Sequence, residues 1–309
     1  MSTVAVRPFR RGDRDQLTRM INAHIGAVVP GFSVSVNTVM SQLEREPAEF
    51  IVDPWVAERV TLVAEHRGSL VAAAHLLRYD DAEDVGVYYR GLSEIRWLVH
   101  HLPGPGPDWP DGGEAAGAMG RAAMAQLTRW GGPVRGADGA LPAPGVYGVP
   151  EQWPHIRELY RDLGFVHTGD TEVVLLARVE DLPSGTDDDH GWEIRRTMGI
   201  NGVRLTAMSG EKAVGSIELD TDLAVAGLLS PHQGWADVGN LQLDHSDREG
   251  LSITLFAAAS EWLKLARIDR LLHYASDTDQ EALALAASVG FQVLTRTQRG
   301  WTTITRSTG

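Results

Sequence analysis

Cysteine is absent from the 309-residue sequence, which excludes disulfides, thiolate metal sites and a cysteine nucleophile. No apolar run approaches the roughly 20 residues that a membrane-spanning helix needs. The first residues, MSTVAVRPFRRGDRD, lack the apolar segment of a signal peptide. We therefore expect a cytoplasmic protein that has no membrane partner.

Basic residues are also scarce. The sequence has 28 Lys and Arg against 41 Asp and Glu, a net charge of −13, whereas binding to a nucleic-acid duplex depends on Lys and Arg that neutralise phosphates. Its 11 histidines show no HExxH or comparable spacing, and no Gly-x-Ser-x-Gly elbow is present. We expect no nucleic-acid partner, no metal and no serine hydrolase activity.

The length fits two domains of about 100–200 residues each, and 43% hydrophobic with 22% charged residues is typical of a globular protein. The segment VEDLPSGTDDDHGWEI contains Pro, Gly and three consecutive Asp, and so reads as a solvated linker. The sequence predicts an N-terminal domain at 1–182, a linker at 183–190 and a C-terminal domain at 191–309. The oligomeric state is open, and a homodimer is compatible with the sequence.

The order of elements recurs on either side of this linker. The first half reads as a strand, two helices, a hairpin, the buried strand LSEIRWLV, an Ala-rich helix, a helix ending in ELYRDLG and two strands. The second half repeats this order without the two early helices and ends in a predicted hairpin of FQVLTRT with WTTIT. We predict an α/β (α+β) fold of two similar domains, each a mixed, mostly antiparallel sheet flanked by helices, with the second shortened at its start.

The segment at 240–263, NLQLDHSDREGLSITLFAAASEWL, predicts a strand, a polar loop and a helix that begins near Gly250. A helix start has free N–H groups and the positive end of the helix dipole, which suit a phosphate or diphosphate. Gly250 would let the backbone approach such an anion, and Ser252 could add a hydroxyl donor. The alternative is an ordinary strand-to-helix turn with glycine for its geometry.

The order of these elements, seen twice, resembles the GCN5-related N-acetyltransferase (GNAT) family in its tandem form. That family's pyrophosphate loop has the pattern Gln/Arg-x-x-Gly-x-Gly/Ala, and the matching segment here is 247–252, DREGLS. Asp247 stands where Gln or Arg is usual, and Ser252 replaces Gly or Ala. Because an inward-pointing Asp247 would repel phosphate, we expect this side chain to point to solvent, with Arg248 offsetting its charge.

The resemblance implies that acetyl-CoA is the cosubstrate. Arg248, Glu249, Gly250, Leu251 and Ser252 would hold its diphosphate. The following would bind its pantetheine arm through the backbone: Leu241, Gln242 and Leu243. The family's pantetheine-contacting Asn corresponds to Asp279, which can still accept an amide N–H.

The family often uses a tyrosine, four residues before the glycine of the Gly-Phe that ends the last helix, to protonate the leaving thiolate. Tyr160 has this position in the first half, and its counterpart in the second half is Ala286. A phenol with a pKa near 10 can donate to a thiolate, and alanine cannot. A packing role at the end of the helix is the alternative for Tyr160.

The general base is assigned to Glu94, early in the strand LSEIRWLV, with a carboxylate that faces water as the alternative. In the second half Asp237 and Asp244 flank the corresponding strand and are the candidate bases, and Tyr274 is the candidate to replace the phenol that Ala286 lacks. In the first half a phosphate loop fits only as EAAGAM at 114–119, which begins with a carboxylate, and GAMG there also suits close packing of helices.

The sequence thus predicts an N-acyltransferase in which a small amine attacks the thioester directly, with acetyl-CoA in the C-terminal half. Two alternatives stay open. One is a catalytically inactive CoA-binding or acyl-sensing module, and the other is catalysis in the N-terminal half.

Overall fold

The structure, a computed structural model, describes residues 4–44, 55–101, 112–132, 134–143, 145–169, 171–185, 191–200, 202–221, 234–244 and 247–303. The described chain forms two compact units. The first comprises Met1–Asp170 together with Thr297–Gly309, and the second comprises Thr171–Arg296. Within the described ranges, no helix combines the length and the apolar character needed to cross a bilayer.

In the described residues, the first unit has a seven-stranded sheet, four α-helices, a 3-10 helix at Arg11–Asp13 and a short two-residue strand. Its elements are β1 (Ala5–Pro8), α1 (Arg14–Val28), α2 (Val36–Leu43), β2 (Val56–His66), β3 (Ser69–Tyr79), β4 (Leu92–His100), α3 (Gly112–Trp130), β5 (Val134–Ala137), β6 (Val149–Pro150), α4 (Pro154–Asp162), β7 (Phe165–His167) and, from the end of the chain, β15 (Trp301–Thr303). The strand order is β1-β2-β3-β4-β5-β15-β7, in which β4 and β5 pair in parallel.

The second unit has the same plan without the two early helices. Its elements are β8 (Thr171–Arg178), β9 (Glu193–Met198), β10 (Val203–Ser209), β11 (Lys212–Asp220), β12 (Trp235–Leu243), α5 (Arg248–Leu265), β13 (Arg270–Ser276), α6 (Gln280–Ser288) and β14 (Gln292–Gln298). The strand order is β14-β8-β13-β12-β11-β10-β9, and the last two residues of β14 already belong to the first unit, where they pair with β6. The predicted fold class and the shortened second half are confirmed.

Apolar faces of the helices cover both sheets, as the sequence pattern predicts. In α1 the stripe of Leu17, Ile21 and Ile25 is fully buried. In the second unit Leu251 and Leu255 of α5 pack in one core with β-strand residues such as Ile217. The close helix packing expected for GAMG is present at Gly120, where a Cβ atom would lie 2.9 Å from the side chain of Leu163.

The last strands are exchanged between the two halves of the chain. β8 follows β7 in sequence, yet it pairs with β13 in the second unit. β15 follows β14, yet it pairs with β5 and β7 in the first unit. The predicted closing hairpin of FQVLTRT with WTTIT is therefore wrong, because β14 and β15 join different sheets. The units also divide the chain differently from the predicted boundaries 1–182 and 191–309, and residues 186–190 of the predicted linker lie outside the described part.

Trp301 shows what the exchanged strand contributes to the first unit. Its side chain is 1% exposed. The ring centroid lies 6.0 Å from that of Tyr160 and 5.4 Å from that of His167. Without β15, the facing edges of β5 and β7 would lose their partner and this aromatic core would be open to water.

We therefore predict that a fragment of residues 1–182 does not fold cooperatively. In contrast, residues 1–170 joined by a flexible linker to 297–309 should give a sigmoidal thermal transition, since all strands of the first sheet are then present. Circular dichroism melting of the two fragments checks this. A cooperative transition of 1–182 at the same temperature as the linked fragment would show that β15 is dispensable.

Three histidines meet where α1, β4 and α4 come together in the first unit. The Nε2 atoms of His24 and His155 are 3.4 Å apart, and the His155 ring centroid lies 4.7 Å from that of His100. His24 Nδ1 lies 3.0 Å from the carbonyl oxygen of Met20, an acceptor only, so this nitrogen carries the proton. Burial, together with the smaller effect of neighbouring imidazoles, lowers the pKa of His24 to about 4 and that of His155 to about 3.

These depressed pKa values predict acid sensitivity of the first unit. A histidine whose pKa falls below its unfolded value of about 6.5 stabilises the fold fully above that pH. The contribution is then lost as the pH falls from about 6.5 towards the folded pKa values. The variants His24→Gln and His155→Gln should each reduce the slope of unfolding free energy against pH by up to about 1.4 kcal/mol per pH unit. Urea denaturation between pH 4.5 and 7 measures the slope, and an unchanged slope would contradict the assignment.

Candidate functional site

In the second unit β12 and β13 separate along their length. They pair in parallel only from Trp235 with Arg270 to Asp237 with Leu272. A bulge follows in β12, between Val238 and Asn240, where its register with β11 shifts. Beyond the bulge β12 continues beside β11 alone, so a gap opens on its other side.

The backbone of β12 faces this gap at alternate residues. Asp244 N–H donates to the carbonyl of Val214 on β11 at 2.9 Å. Since bonded positions alternate along an antiparallel pair, Gln242 also bonds towards β11. Leu241 and Leu243 then direct their N–H and C=O groups into the gap, where an extended ligand could pair with them.

A cavity of about 340 Å³ lies beside this gap. Its walls come from β12, β13, the N-terminal half of α5, and α6 with its N-cap: Leu241, Leu243, Arg248, Ser252, Phe256, His273, Tyr274, Ala275, Ser276, Asp279, Ala282, Leu285 and Ala286. The structure thus brings together the predicted cofactor residues Leu241, Leu243, Arg248, Ser252 and Asp279. The remaining predicted cofactor residues do not line the cavity: Gln242, Glu249, Gly250 and Leu251.

Two polar groups at the start of α5 lack a hydrogen bond. The Ser252 side chain is fully buried, and its Oγ has no partner among the described residues. Arg248 Nε is buried and lies 3.3 Å from Glu281 Oε1, an ion pair without hydrogen-bond geometry. A buried hydroxyl without a partner costs free energy, so these groups indicate a site for a ligand oxygen.

Asp247 does not point to solvent as expected. Its Oδ1 accepts a hydrogen bond from Gly250 N–H at 3.0 Å and caps α5. The correction has a simple cause, since aspartate is among the best N-cap residues and Gly250 N–H is one of the helix's free donors. Asp279 acts in the same way on α6, where it accepts from Ala282 N–H at 2.9 Å.

A carboxylate and a phenol meet at the point where the strands separate. Tyr274 OH donates to Asp237 Oδ2 at 3.3 Å, and Asp237 Oδ1 is buried without a hydrogen-bond partner among the described residues. Burial and, to a smaller extent, the nearby charge of Asp220 raise the pKa of Asp237 to about 6, against the opposing effect of the hydrogen bond from Tyr274. The Tyr274 side chain lines the cavity, so the pair connects it with a titratable group.

Aromatic side chains close the inner wall of the cavity. Phe256 and His273 stand with ring centroids 6.5 Å apart, and Phe291 packs against both. Burial lowers the pKa of His273 to about 4, so this imidazole is neutral at pH 7. Sequence reasoning missed His273 and Phe256, although His273 directly precedes Tyr274 and Phe256 lies one helical turn after Ser252.

A second cavity of about 480 Å³ lies on the strand ends of β10, β11 and β12. Polar side chains at alternate strand positions contribute to its walls, among them Arg204, Thr206, Ser216 and Gln242. Arg204 donates to Glu218 Oε2 at 2.9 Å, and the Glu218 side chain is buried. Asp244, which also lines this cavity, pairs with Lys212 at 3.0 Å.

In the first unit the chain continues to bond to β4 beyond the end of β5. Beyond β5, Asp138 N–H donates to the carbonyl of Ile95 at 2.8 Å, and Ala140 N–H donates to that of Arg96 at 3.1 Å. Trp97 and Trp153 are buried beside these strands. The predicted alternative loop at 114–119 lies inside α3, and residues 102–111 of the loop before it lie outside the described part.

Tyr160 is a packing residue in this structure, not a free phenol. Its side chain is fully buried, and its OH donates to the carbonyl of Asp138 at 2.7 Å. Burial raises the pKa of Tyr160 well above its ordinary value. Tyr160 lies in the first unit, as expected from its place in the first half of the sequence, and it is not among the residues that line the 340 Å³ cavity.

Glu94 and Asp237 have equivalent places in their sheets. Each lies in the parallel stretch of its strand, two residues before the bulge that shifts the register. Each also accepts a hydrogen bond from a tyrosine, Tyr79 at 2.9 Å for Glu94. Glu94 is buried, and burial raises its pKa while Arg96 opposes the shift. The position predicted for the general base in the first unit, Glu94, thus has an equivalent in the second unit, Asp237. The 340 Å³ cavity lies in the second unit.

The side chains that commonly bind metal ions do not gather into a site in the part of the chain that the structure describes. There, no three His, Asp or Glu side chains are arranged to hold a metal ion.

No protein-family model and no curated protein matches the sequence. Many solved structures are similar in fold, including the following three. The GCN5-related glucosamine N-acetyltransferase region of a fungal multi-domain GH3 β-N-acetylglucosaminidase is 14% identical, with a TM-score of 0.63 over 97% of this chain and 38% of that chain. A tandem GNAT protein from the clavulanic acid biosynthesis pathway is 13% identical, with a TM-score of 0.59 over 97% of this chain and 98% of that one.

The third is a GCN5-related N-acetyltransferase from Sphaerobacter thermophilus, 12% identical, with a TM-score of 0.58 over 95% of this chain and 93% of that one. The chain spans well under half the length of the fungal protein, but almost the full length of the other two. The fold of this protein is the tandem GNAT fold.

Proposed function

We propose that the protein is an acetyl-CoA-dependent N-acyltransferase that binds the acyl donor in its second unit and acylates a small amine. One observation carries the proposal. The gap between β12 and β13 opens beside a 340 Å³ cavity that reaches the start of α5, where the hydroxyl of Ser252 is buried without a partner among the described residues. A thin polar chain that ends in an anion fits this arrangement.

The chain's own groups would hold such a donor along its length. Leu241 and Leu243 would bond the amides of the pantetheine arm through their backbone, as a neighbouring strand does. Arg248, the Ser252 hydroxyl and the positive end of α5 would hold the diphosphate. When bound, the thioester supplies the acyl group and a thiolate leaving group.

Asp237 and Tyr274 would remove a proton from the acceptor amine. An amine must lose a proton before its nitrogen can attack, and Asp237, with a pKa of about 6, is largely ionised at neutral pH. The Tyr274 OH, bonded to Asp237 Oδ2, lines the cavity and can pass a proton between the acceptor and the carboxylate. Ala286 offers no acid at the position of the family's tyrosine, so this pair is the proton-transfer group that we assign.

The second unit is preferred over the first because the two differ at the critical gap. In the first unit Asp138 N–H and Ala140 N–H bond to the carbonyls of Ile95 and Arg96, at the bulge of β4, whereas the pairing of β12 with β13 ends at Asp237, before the bulge of β12. The Tyr160 hydroxyl already donates its hydrogen bond to the carbonyl oxygen of Asp138. These contacts support catalysis in the second unit rather than in the first.

A catalytically inactive acyl-CoA-binding module is the second candidate. Ala286 in place of the tyrosine favours it, and so does the carboxylate of Asp247 at the helix start. A thermal shift with acetyl-CoA, followed by thiol release against a panel of amines, separates the candidates. Stabilisation without turnover would support the binding module, and no stabilisation would refute both.

Two serines of α5 allow a matched test of the donor site. Ser252→Ala removes a buried hydroxyl that lacks a partner among the described residues, so the fold should be as stable as before, while the affinity for CoA should fall roughly tenfold or more because a bond to a charged phosphate is lost. Ser260 Oγ donates to the carbonyl of Val179 at 3.0 Å. Ser260→Ala should therefore lose about 1 kcal/mol of stability and keep its CoA affinity.

Calorimetric titration with CoA and urea denaturation measure both properties. The assignment of the site to the second unit fails if Ser252→Ala binds CoA as tightly as the natural protein.

Asp237 and Glu94 provide the corresponding test of catalysis. Asp237→Asn should lower kcat by about 100-fold or more, since general base catalysis contributes on this scale. The rate of the natural protein should rise with pH through about 6 as Asp237 ionises, and this limb should be absent from the variant. Glu94→Gln removes the equivalent carboxylate of the first unit and should leave both kcat and its pH profile unchanged.

Steady-state rates between pH 5 and 9 provide the comparison. A loss of activity in Glu94→Gln with full activity in Asp237→Asn would move catalysis to the first unit.

A further inference from the structure

The donors at the start of α5 are engaged by carboxylates of the chain itself. Asp247 Oδ1 accepts from Gly250 N–H at 3.0 Å, and Glu281 Oε1 lies 3.3 Å from Arg248 Nε. Gly250 N–H and the Arg248 guanidinium are the groups that a diphosphate at this helix start would use. The negative charges of Asp247 and Glu281 therefore lie where the negatively charged diphosphate of the proposed ligand would bind.

The helix start nevertheless retains a place for an anion. Ser252 Oγ is fully buried, lines the cavity and has no partner within the described ranges. Arg248 Nε makes no hydrogen bond to a described residue despite its ion pair with Glu281. The carboxylate of Asp247 thus occupies Gly250 N–H, whereas the Ser252 hydroxyl and Arg248 Nε stay available to hydrogen-bond a ligand.

We propose that Asp247, and more weakly Glu281, compete with the diphosphate of the donor and lower the affinity of the second unit for CoA. The proposal rests on the proposed function. A phosphate oxygen can bond Gly250 N–H only if the Asp247 carboxylate gives up this hydrogen bond. The displaced carboxylate stays close to the phosphate and repels it, because both groups are negatively charged. Glu281 has a side chain that is 71% exposed, so solvent and salt screen its effect.

The competition predicts a gain of affinity on mutation within the binding loop. Asn is as good an N-cap as Asp and can accept from Gly250 N–H, so Asp247→Asn keeps the helix cap and removes only the charge. Two charges about 5 Å apart near a protein surface interact strongly enough to change affinity by roughly tenfold. Glu281→Gln should give a smaller gain, roughly twofold, and it releases Arg248 for the ligand.

Calorimetric titrations of the full chain with CoA and with pantetheine test the proposal at about 0.02 M and about 0.5 M salt. Pantetheine has no diphosphate, so its affinity should be equal in all variants. Glu261→Gln is the matched control, because it removes the same charge from an exposed position roughly 20 Å further along α5. It should bind CoA like the natural protein.

The expected result is tighter CoA binding by Asp247→Asn at low salt, a gain that shrinks at high salt, and no change for pantetheine. Equal or weaker CoA binding by Asp247→Asn, alongside measurable binding by the natural protein, would overturn the competition and leave the proposed function intact. A gain for pantetheine as large as that for CoA would also overturn it. Failure of every variant to bind either ligand would overturn both proposals.

Discussion

The site depends on a backbone constraint along β12, whose groups beyond the bulge need partners on both sides. A strand in a sheet must have its N–H and C=O groups bonded by a neighbour, by water or by a ligand, because unpaired buried groups are costly. In the first unit Asp138 N–H meets this need for Ile95. In the second unit the pairing with β13 stops at Asp237, and the cavity lies where the missing neighbour would be. The pairing of the central strand therefore continues to the bulge in the first unit and ends before the bulge in the second.

The two units also preserve a common geometry around this difference. Glu94 and Asp237 stand at the same distance from their bulges, and each accepts a hydrogen bond from a tyrosine. The tyrosines come from different neighbours, Tyr79 from β3 and Tyr274 from β13. Tyr274 lines a cavity, whereas Tyr79 is buried in its own sheet. The same carboxylate position therefore has a path to a ligand in the second unit and an internal bond in the first.

The order of elements could be predicted from the sequence because helix stripes such as Leu17, Ile21 and Ile25 and the alternation along strands are local signals. The exchange of β8 and β15 could not. An alternating strand fits any open sheet edge, and the choice depends on contacts far away in the chain. Tyr160 and Asp247 show the same limit at single residues. The residue type alone indicates what each side chain can do chemically. The role of each depends on its hydrogen-bond partner, which is the carbonyl of Asp138 for Tyr160 and the N–H of Gly250 for Asp247.

The shortened start of the second unit has a physical consequence of its own. Between β9 and β10 the chain has only residues 199–202, whereas α1 and α2 lie at this place in the first unit. A sheet face that no helix covers must be compatible with water. The strands satisfy this condition by alternation, since Leu205 and Ile217 join the core with α5 while Thr206 and Ser216 line the second cavity. The strand positions that line the second cavity thus carry polar side chains, including those of Arg204, Thr206 and Ser216.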